Sequence, residues 1–61
     1  MDSLIEFRKE KELTLQEMAD KIGISKSMYE KIEYGDAKPS LKTMKKMKEV
    51  FNDLDINIFL Q

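Results

Sequence analysis

A single glycine, Gly23, separates two short amphipathic segments near the middle of the chain, and this arrangement limits the fold more than any other feature. Before it, apolar residues recur at i, i+3, i+4 and i+7, the spacing of one helix face: Leu15, Met18, Ala19 and Ile22. Gly23 lies where a helix commonly ends in a left-handed residue. A second set of helix signals then follows: the cap Ser25, the apolar Tyr29 and Ile32, and the final Gly35. The pattern predicts two helices over about 15–34, joined by a tight turn.

Cap signals predict the limits of the other helices. Thr14 and Glu17 have the spacing of a capping box at the start of the 15–22 helix. Asp2 or Ser3 is expected to cap a first helix that ends near residues 11–13 and directs Leu4, Phe7 and Arg8 inward. Ser40, after the turn DAKPS, is expected to cap a fourth helix. Its apolar positions, which are predicted to point inward, are Leu41, Met44, Met47 and Phe51. Asn52 is expected to end it in a left-handed conformation.

The C-terminal segment DLDINIFLQ fits two patterns. Ile56, Ile58 and Leu60 alternate as in a strand, whereas Ile56, Phe59 and Leu60 share one helix face. We expect a short fifth helix capped by Asp55. The predicted class is therefore all-α, with four to five short helices in a single domain over 1–61.

Composition excludes several classes of function. The chain has 61 residues, no cysteine and no histidine, so it lacks the usual ligands of zinc and the commonest general base. We find no nucleophile–base pair, and the chain is small for a closed substrate pocket, so we expect no enzyme, no cofactor, no metal and no small-molecule substrate. No apolar run approaches the roughly 20 residues that span a bilayer. The charged start MDSLIEFRKE is unlike a signal peptide, which favours the cytoplasm.

Charge is unevenly distributed although the total is only −1. Residues 26–48 carry seven lysines against three acidic residues, whereas both flanking segments are net acidic. An excess of positive charge in one segment is one indication of an anionic partner.

The polar start of the 26–34 helix gives that partner a chemical identity. In a helix-turn-helix, the second helix can enter the major groove of DNA with its N-terminal residues at the base edges. Lys26 can donate to guanine O6 and N7, Ser27 can bond to several bases, and Met28 can contact a thymine methyl. Met28 could alternatively pack inward beside Tyr29.

Four strings carry a family resemblance: LTLQEMA, the IGIS turn, the IEYG helix end, and KPS before the fourth helix. In order and spacing they resemble the Cro/repressor-type (XRE family) helix-turn-helix proteins of phages and bacteria, over Leu4 to about Phe51. The resemblance implies a lambda-repressor-like domain that binds operator DNA as a homodimer and regulates transcription.

The resemblance also implies roles for individual residues. Four positions match those facing the DNA bases: Lys26, Ser27, Met28 and Lys31. Four others match contacts to the phosphate backbone: Gln16, Tyr34, Lys38 and Lys42. The position of Gln16 in the family also braces the second helix of the motif, which here is 26–34. Arg8 and Glu33 match a partly buried ion pair. Lys48 departs from the family pattern, since it stands where the family has a small apolar residue. Either its aliphatic stem covers the core while its ammonium group reaches solvent, or the fourth helix is slightly rotated.

A second function remains open, namely a protein-interaction module on the same fold, such as an antitoxin or an inhibitor of a larger regulator. The net acidity, Asp36 and the apolar C-terminal segment favour it. Salt dependence discriminates the two, because DNA binding weakens steeply with salt and an apolar interface does not. The dimer surface is expected to include Ile58 and Leu60.

Overall fold

Four α-helices and one 3-10 helix form the part of the chain described by the computed structural model, residues 2–60. In chain order these are α1 (Asp2–Glu10), α2 (Leu15–Ile22), α3 (Lys26–Tyr34), α4 (Leu41–Val50) and a C-terminal 3-10 helix (Ile56–Leu60). Residues 2–60 contain no strand, and the predicted all-α class is confirmed. The C-terminal segment is helical as expected, with Asp55 accepting a hydrogen bond from Asn57 N at 3.0 Å through its side chain.

The predicted capping box begins α2. Thr14 Oγ1 accepts from Glu17 N at 3.1 Å, and Glu17 Oε1 accepts from Thr14 N at 2.9 Å. The carboxylate of Glu17 accepts from the Thr14 backbone and, with a smaller effect, from the Thr14 side chain, and these interactions lower the pKa of Glu17. Gly23 ends the helix with φ +86°, a conformation that glycine adopts without steric cost.

Two serines begin the next two helices, as the sequence predicts. Ser25 Oγ accepts from Met28 N and Ser40 Oγ accepts from Thr43 N, both at 3.1 Å. Each bond satisfies a backbone donor that has no partner within its own helix. The start of α3 at Lys26 is therefore fixed three residues after Gly23.

All four α-helices and the 3-10 helix contribute to one apolar core. Its buried members are Leu4, Met18, Ala19, Ile22, Tyr29, Ile32, Met47, Phe51, Leu54 and Phe59. Helix α2 packs against both α3 and α4, and α1 packs against α3. The rings of Phe7 and Phe51 meet edge to face with centroids 5.5 Å apart, which joins α1 to the end of α4.

Two predictions about helix ends are wrong. Asp2 and Ser3 already belong to α1, so neither caps it, and the residue before them lies outside the described range. Asn52 is not left-handed; α4 ends at Phe51 with φ −124° and ψ 84°. Lys48 makes a left-handed end unnecessary, since its Nζ donates to the carbonyls of Asn52 at 2.7 Å and Leu54 at 2.8 Å.

The predicted inward orientation of Leu41 is also wrong. Met44 and Met47 pack towards the core, but Leu41 is 66% exposed. Leu41 is the first residue of α4 and lies outside the core, on the outward side that it shares with Lys45 and Glu49. The start of α4 therefore carries an apolar side chain in solvent.

Candidate nucleic-acid interface

Helices α2 and α3 form a fixed pair. The amides of Gly23 and Ile24 both donate to the carbonyl of Ala19, at 2.8 and 3.1 Å, which closes the end of α2 directly before α3. On α3, Tyr29 and Ile32 are buried against the core. One face of α3 is thus held by packing, and the opposite face is left to solvent.

The four predicted base-contacting residues all lie on the exposed side of α3. Lys26, Ser27, Met28 and Lys31 are each exposed. Met28 is 44% exposed, so the inward alternative does not describe it. Ser27 and Lys31 are one helical turn apart, with Met28 beside them, so these three side chains share a face. The structure therefore brings the predicted groove-facing set together on one short helix.

Within this set, Lys26 has a partner that sequence reasoning missed. Its Nζ lies 3.7 Å from Glu30 Oε1. The spacing i, i+4 was the available signal. The Lys26 side chain is 51% exposed and that of Glu30 is 35% exposed, and ion pairs with this much solvent contact contribute little free energy. Lys26 can therefore leave Glu30 at small cost when an anion approaches.

The first turn of α3 also suits an anionic partner. It contains no acidic side chain, and its N-terminus has the positive end of the helix dipole. The Ser25 side chain occupies only the amide of Met28, so the capped start keeps further backbone donors.

The four predicted phosphate-contacting residues are exposed but dispersed over three helices and a loop. Tyr34 ends α3, Lys38 lies in the loop, and Lys42 lies in the first turn of α4. In α2, the Gln16 amide donates to Asp20 Oδ1 of the same helix at 2.8 Å, and no described hydrogen bond joins it to α3. Gln16 must therefore exchange this bond to reach a phosphate or to brace α3.

Comparison with known proteins decides the family. A family model described as helix-turn-helix matches residues 4–59. The chain belongs to this family. AnsR, an HTH-type transcriptional regulator of Bacillus subtilis (strain 168), is 40% identical over 52 residues, which cover 85% of this chain and 45% of AnsR. YqaE, an uncharacterized HTH-type transcriptional regulator of the same strain, is 39% identical over 57 residues, which cover 93% of this chain and 47% of YqaE.

This helix-turn-helix chain spans about half the length of those two curated relatives. No solved structure gives a significant match. Membership indicates DNA binding in transcription regulation, a non-enzymatic role, as the sequence analysis expected. In residues 2–60 we find no cluster of acidic side chains able to hold a metal ion. No helix in the same range has the length and apolar character needed to cross a membrane.

The ion pair that the resemblance implies is present in this helix-turn-helix domain. Arg8 Nε lies 2.7 Å from Glu33 Oε2, and a second guanidinium nitrogen donates to Oε1 at 3.3 Å. A third donates to the Leu13 carbonyl at 3.0 Å. The hydrogen bond to Glu33 raises the pKa of Arg8. The pair ties α1 and the turn before α2 to the last turn of α3, and so holds α3 from its inner side.

Tyr29 lies beside this pair. Its hydroxyl is buried and meets no partner at hydrogen-bonding geometry among residues 2–60. Burial, assisted by the adjacent Glu33 carboxylate, raises the pKa of the Tyr29 phenol far above its ordinary value. Tyr29 therefore stays neutral and serves as a core residue of α3.

Proposed function

We propose that this chain is the sequence-specific DNA-binding domain of a transcriptional regulator of phage, prophage or bacterial type. It binds operator DNA as a homodimer in the cytoplasm, with α3 in the major groove. Lys26, Ser27, Met28 and Lys31 contact bases; Gln16, Tyr34, Lys38 and Lys42 contact phosphates.

One observation carries the proposal: α3 is held on its inner face and offers its polar set on the outer face. Tyr29, Ile32 and Glu33 are buried, whereas the lysines and serine of the outer face have no packing role. A side chain that reads bases must project from a rigid element, because loosely held donors lose geometry and specificity. The exposed chemistry of α3 and its fixed position meet both requirements.

The homodimer follows from the size of the site. One short recognition helix reads only a few base pairs, and dimers of helix-turn-helix proteins place two such helices about one turn of DNA apart. A two-fold symmetric protein then selects a palindromic operator. We expect half-sites about ten base pairs apart, centre to centre.

The first experiment is selection of bound sequences from random duplex DNA, repeated at low and moderate salt. Enrichment of a palindrome with the expected spacing supports the proposal. Weak, salt-sensitive binding without enrichment contradicts it and favours the protein-interaction module, for which the exposed apolar side chains of α4 and the 3-10 helix give a surface.

The second experiment tests the base contacts with the double variant Lys26→Ala/Lys31→Ala. We expect loss of operator preference, because each base contact that is removed lowers the free energy of discrimination between operator and other sequences by about 1–3 kcal/mol. The matched control, Lys9→Ala/Lys21→Ala, removes the same number of charges from exposed helix positions outside the proposed site. Anisotropy titrations of the selected operator measure both variants, and circular dichroism checks their fold. Wild-type operator affinity in the first variant would contradict the assignment of α3 to the groove.

A further inference from the structure

The outer side of α4 carries an unpartnered ridge formed by Leu41, Lys45 and Glu49, at the spacing i, i+4 and i+8. A groove lies on each side of this α4 ridge. One is bordered by the turn residues Ile22 and Ile24, and the other by Met44, Ile56 and Leu60. A ridge with flanking grooves is the surface by which one helix packs against another.

The apolar content of this surface is high for a region in solvent. Leu41 is 66% and Leu60 is 74% exposed, and both line the groove between α4 and the 3-10 helix. Ile56 lines it as well and is partly in solvent. Ile58, which the sequence analysis expected at the dimer surface, instead packs against the core, whereas Leu60 remains available. Exposed apolar side chains gathered in one groove indicate an interaction site.

The charges of the α4 ridge complement each other across a two-fold axis. Lys45 and Glu49 have opposite charges, and neither forms a hydrogen bond or an ion pair with any residue in the described range 2–60. In a two-fold symmetric contact, any pair formed by residue i of one copy and residue j of the other forms a second time with the copies exchanged. If α4 runs antiparallel to the partner's α4, with the axis between these residues, Lys45 lies opposite the partner's Glu49 and the reverse pair also forms.

We propose that the α4 ridge, with Ile56 and Leu60 of the 3-10 helix, is the surface by which two copies of this chain associate. The α4 ridge of the second copy occupies the groove between α4 and the 3-10 helix, which does not include the proposed phosphate contact Lys42. Lys48 takes no part in the ion pairs, since its ammonium group is bound to backbone carbonyls. None of these interface residues belongs to α3, so the proposed base-contacting set stays free while the two copies are joined.

This inference rests on the proposed function only in giving the expected homodimer its interface. It is tested without DNA, by sedimentation equilibrium across the micromolar range. The wild type should show a concentration-dependent dimer. Lys45→Glu gives each ridge two negative charges and Glu49→Lys gives it two positive charges. For each variant alone, the dissociation constant of the dimer should rise by up to about tenfold, because two attractive pairs become repulsive.

The decisive measurement is an equimolar mixture of Lys45→Glu and Glu49→Lys. A negative ridge then meets a positive one, and a heterodimer of at least wild-type affinity should form. The matched controls Glu6→Lys and Lys9→Glu reverse exposed charges on α1 and should leave the wild-type dimer unchanged. Leu41→Ser, at a position outside the core, should weaken the dimer while circular dichroism stays that of the wild type.

A wild type that is monomeric at every concentration, or a mixture that associates no better than its components, would overturn the interface. Binding of each variant to a single operator half-site is measured separately. Salt-sensitive half-site binding that persists in a monomeric protein would leave the proposed DNA-binding function standing while the interface fails. Loss of half-site binding in a protein that still dimerises would overturn the proposed DNA-binding function and leave the interface standing.

Discussion

At the scale of single residues, the position of α3 depends on Arg8 and Glu33. Glu33 is the one charged side chain that is buried among residues 3–60, with 4% of its side chain exposed, and Arg8 is 14% exposed. A carboxylate removed from water needs a cation and hydrogen bonds in place of its hydration. The guanidinium provides both, and it also binds the Leu13 carbonyl.

We expect Arg8→Met to destabilise the domain far more than Arg8→Met/Glu33→Leu. The single change leaves the buried carboxylate without its guanidinium, at a cost of about 3–5 kcal/mol. The double change replaces both charges by apolar groups, and such a replacement often leaves the free energy of unfolding almost unchanged. A domain of this size has only about 3–9 kcal/mol of stability, so the single variant should be partly unfolded at room temperature. Urea titrations followed by circular dichroism measure both; Lys9→Met is the exposed control on α1.

The single variant Glu33→Leu completes the comparison, and a cost in the double variant equal to the summed costs of Arg8→Met and Glu33→Leu would contradict this coupling. In that case the two side chains would contribute independently, and α3 would be positioned by apolar packing alone.

At the scale of secondary-structure elements, the capping box makes the stability of α2 depend on pH. The pKa of Glu17 is lower in the folded chain than its ordinary value because it accepts hydrogen bonds from Thr14. Its contribution is therefore complete above the ordinary carboxyl pKa and is lost as the pH falls through the lowered folded value. Glu17→Gln keeps the hydrogen-bonding geometry but removes the titrating group.

The expected result is a wild type more stable than Glu17→Gln at neutral pH, with the difference vanishing in acid. Thermal unfolding at a series of pH values from neutral to acid measures it. Glu10→Gln, an exposed carboxyl change at the end of α1, is the control for general charge effects. A difference that persists unchanged into acid would show that the charge of Glu17 does not act through the capping box.

The same elements show what the sequence could predict. Thr14, Ser25 and Ser40 were identified as caps because a cap needs only its own side chain and an amide three residues ahead. Gly23 and Gly35 were identified because a left-handed residue at a helix end strongly favours glycine. These signals lie within a few residues of one another, so no knowledge of the tertiary structure was needed.

The wrong predictions depend on contacts that a local pattern does not contain. Lys48 replaces a left-handed cap at Asn52 only because the chain folds back to present its carbonyls. Leu41 fits the apolar spacing, yet the start of α4 lies outside the core. At the candidate site, exposure of the α3 set agrees with the prediction, whereas which atoms touch DNA depends on a partner outside the chain and stays a prediction.

At the scale of the whole molecule, the arrangement of charge matters more than its sum. The domain measures 24 × 23 × 21 Å, and the Debye length at 0.1 M salt is about 10 Å. Charges on opposite sides are therefore largely screened from one another, and Lys11 is already paired with Asp53 at 2.6 Å. A net charge of −1 does not oppose DNA binding through the lysine-rich segment 26–48.

The salt dependence of operator binding tests this distribution. Lys38 and Lys42 are the charged members of the proposed phosphate-contacting set, so a dimer would neutralise about four phosphates and log K should fall with log salt at a slope of about −3.6. Lys38→Gln and Lys42→Gln should each make the slope shallower by about 1.8, since each removes one contact per protomer. Lys9→Gln, which removes a charge from α1, should leave the slope unchanged. Anisotropy titrations of the selected operator at several salt concentrations give these slopes. If neither Lys38→Gln nor Lys42→Gln alters the slope, the backbone contacts lie elsewhere, and the other lysines of α4 become the next residues to change.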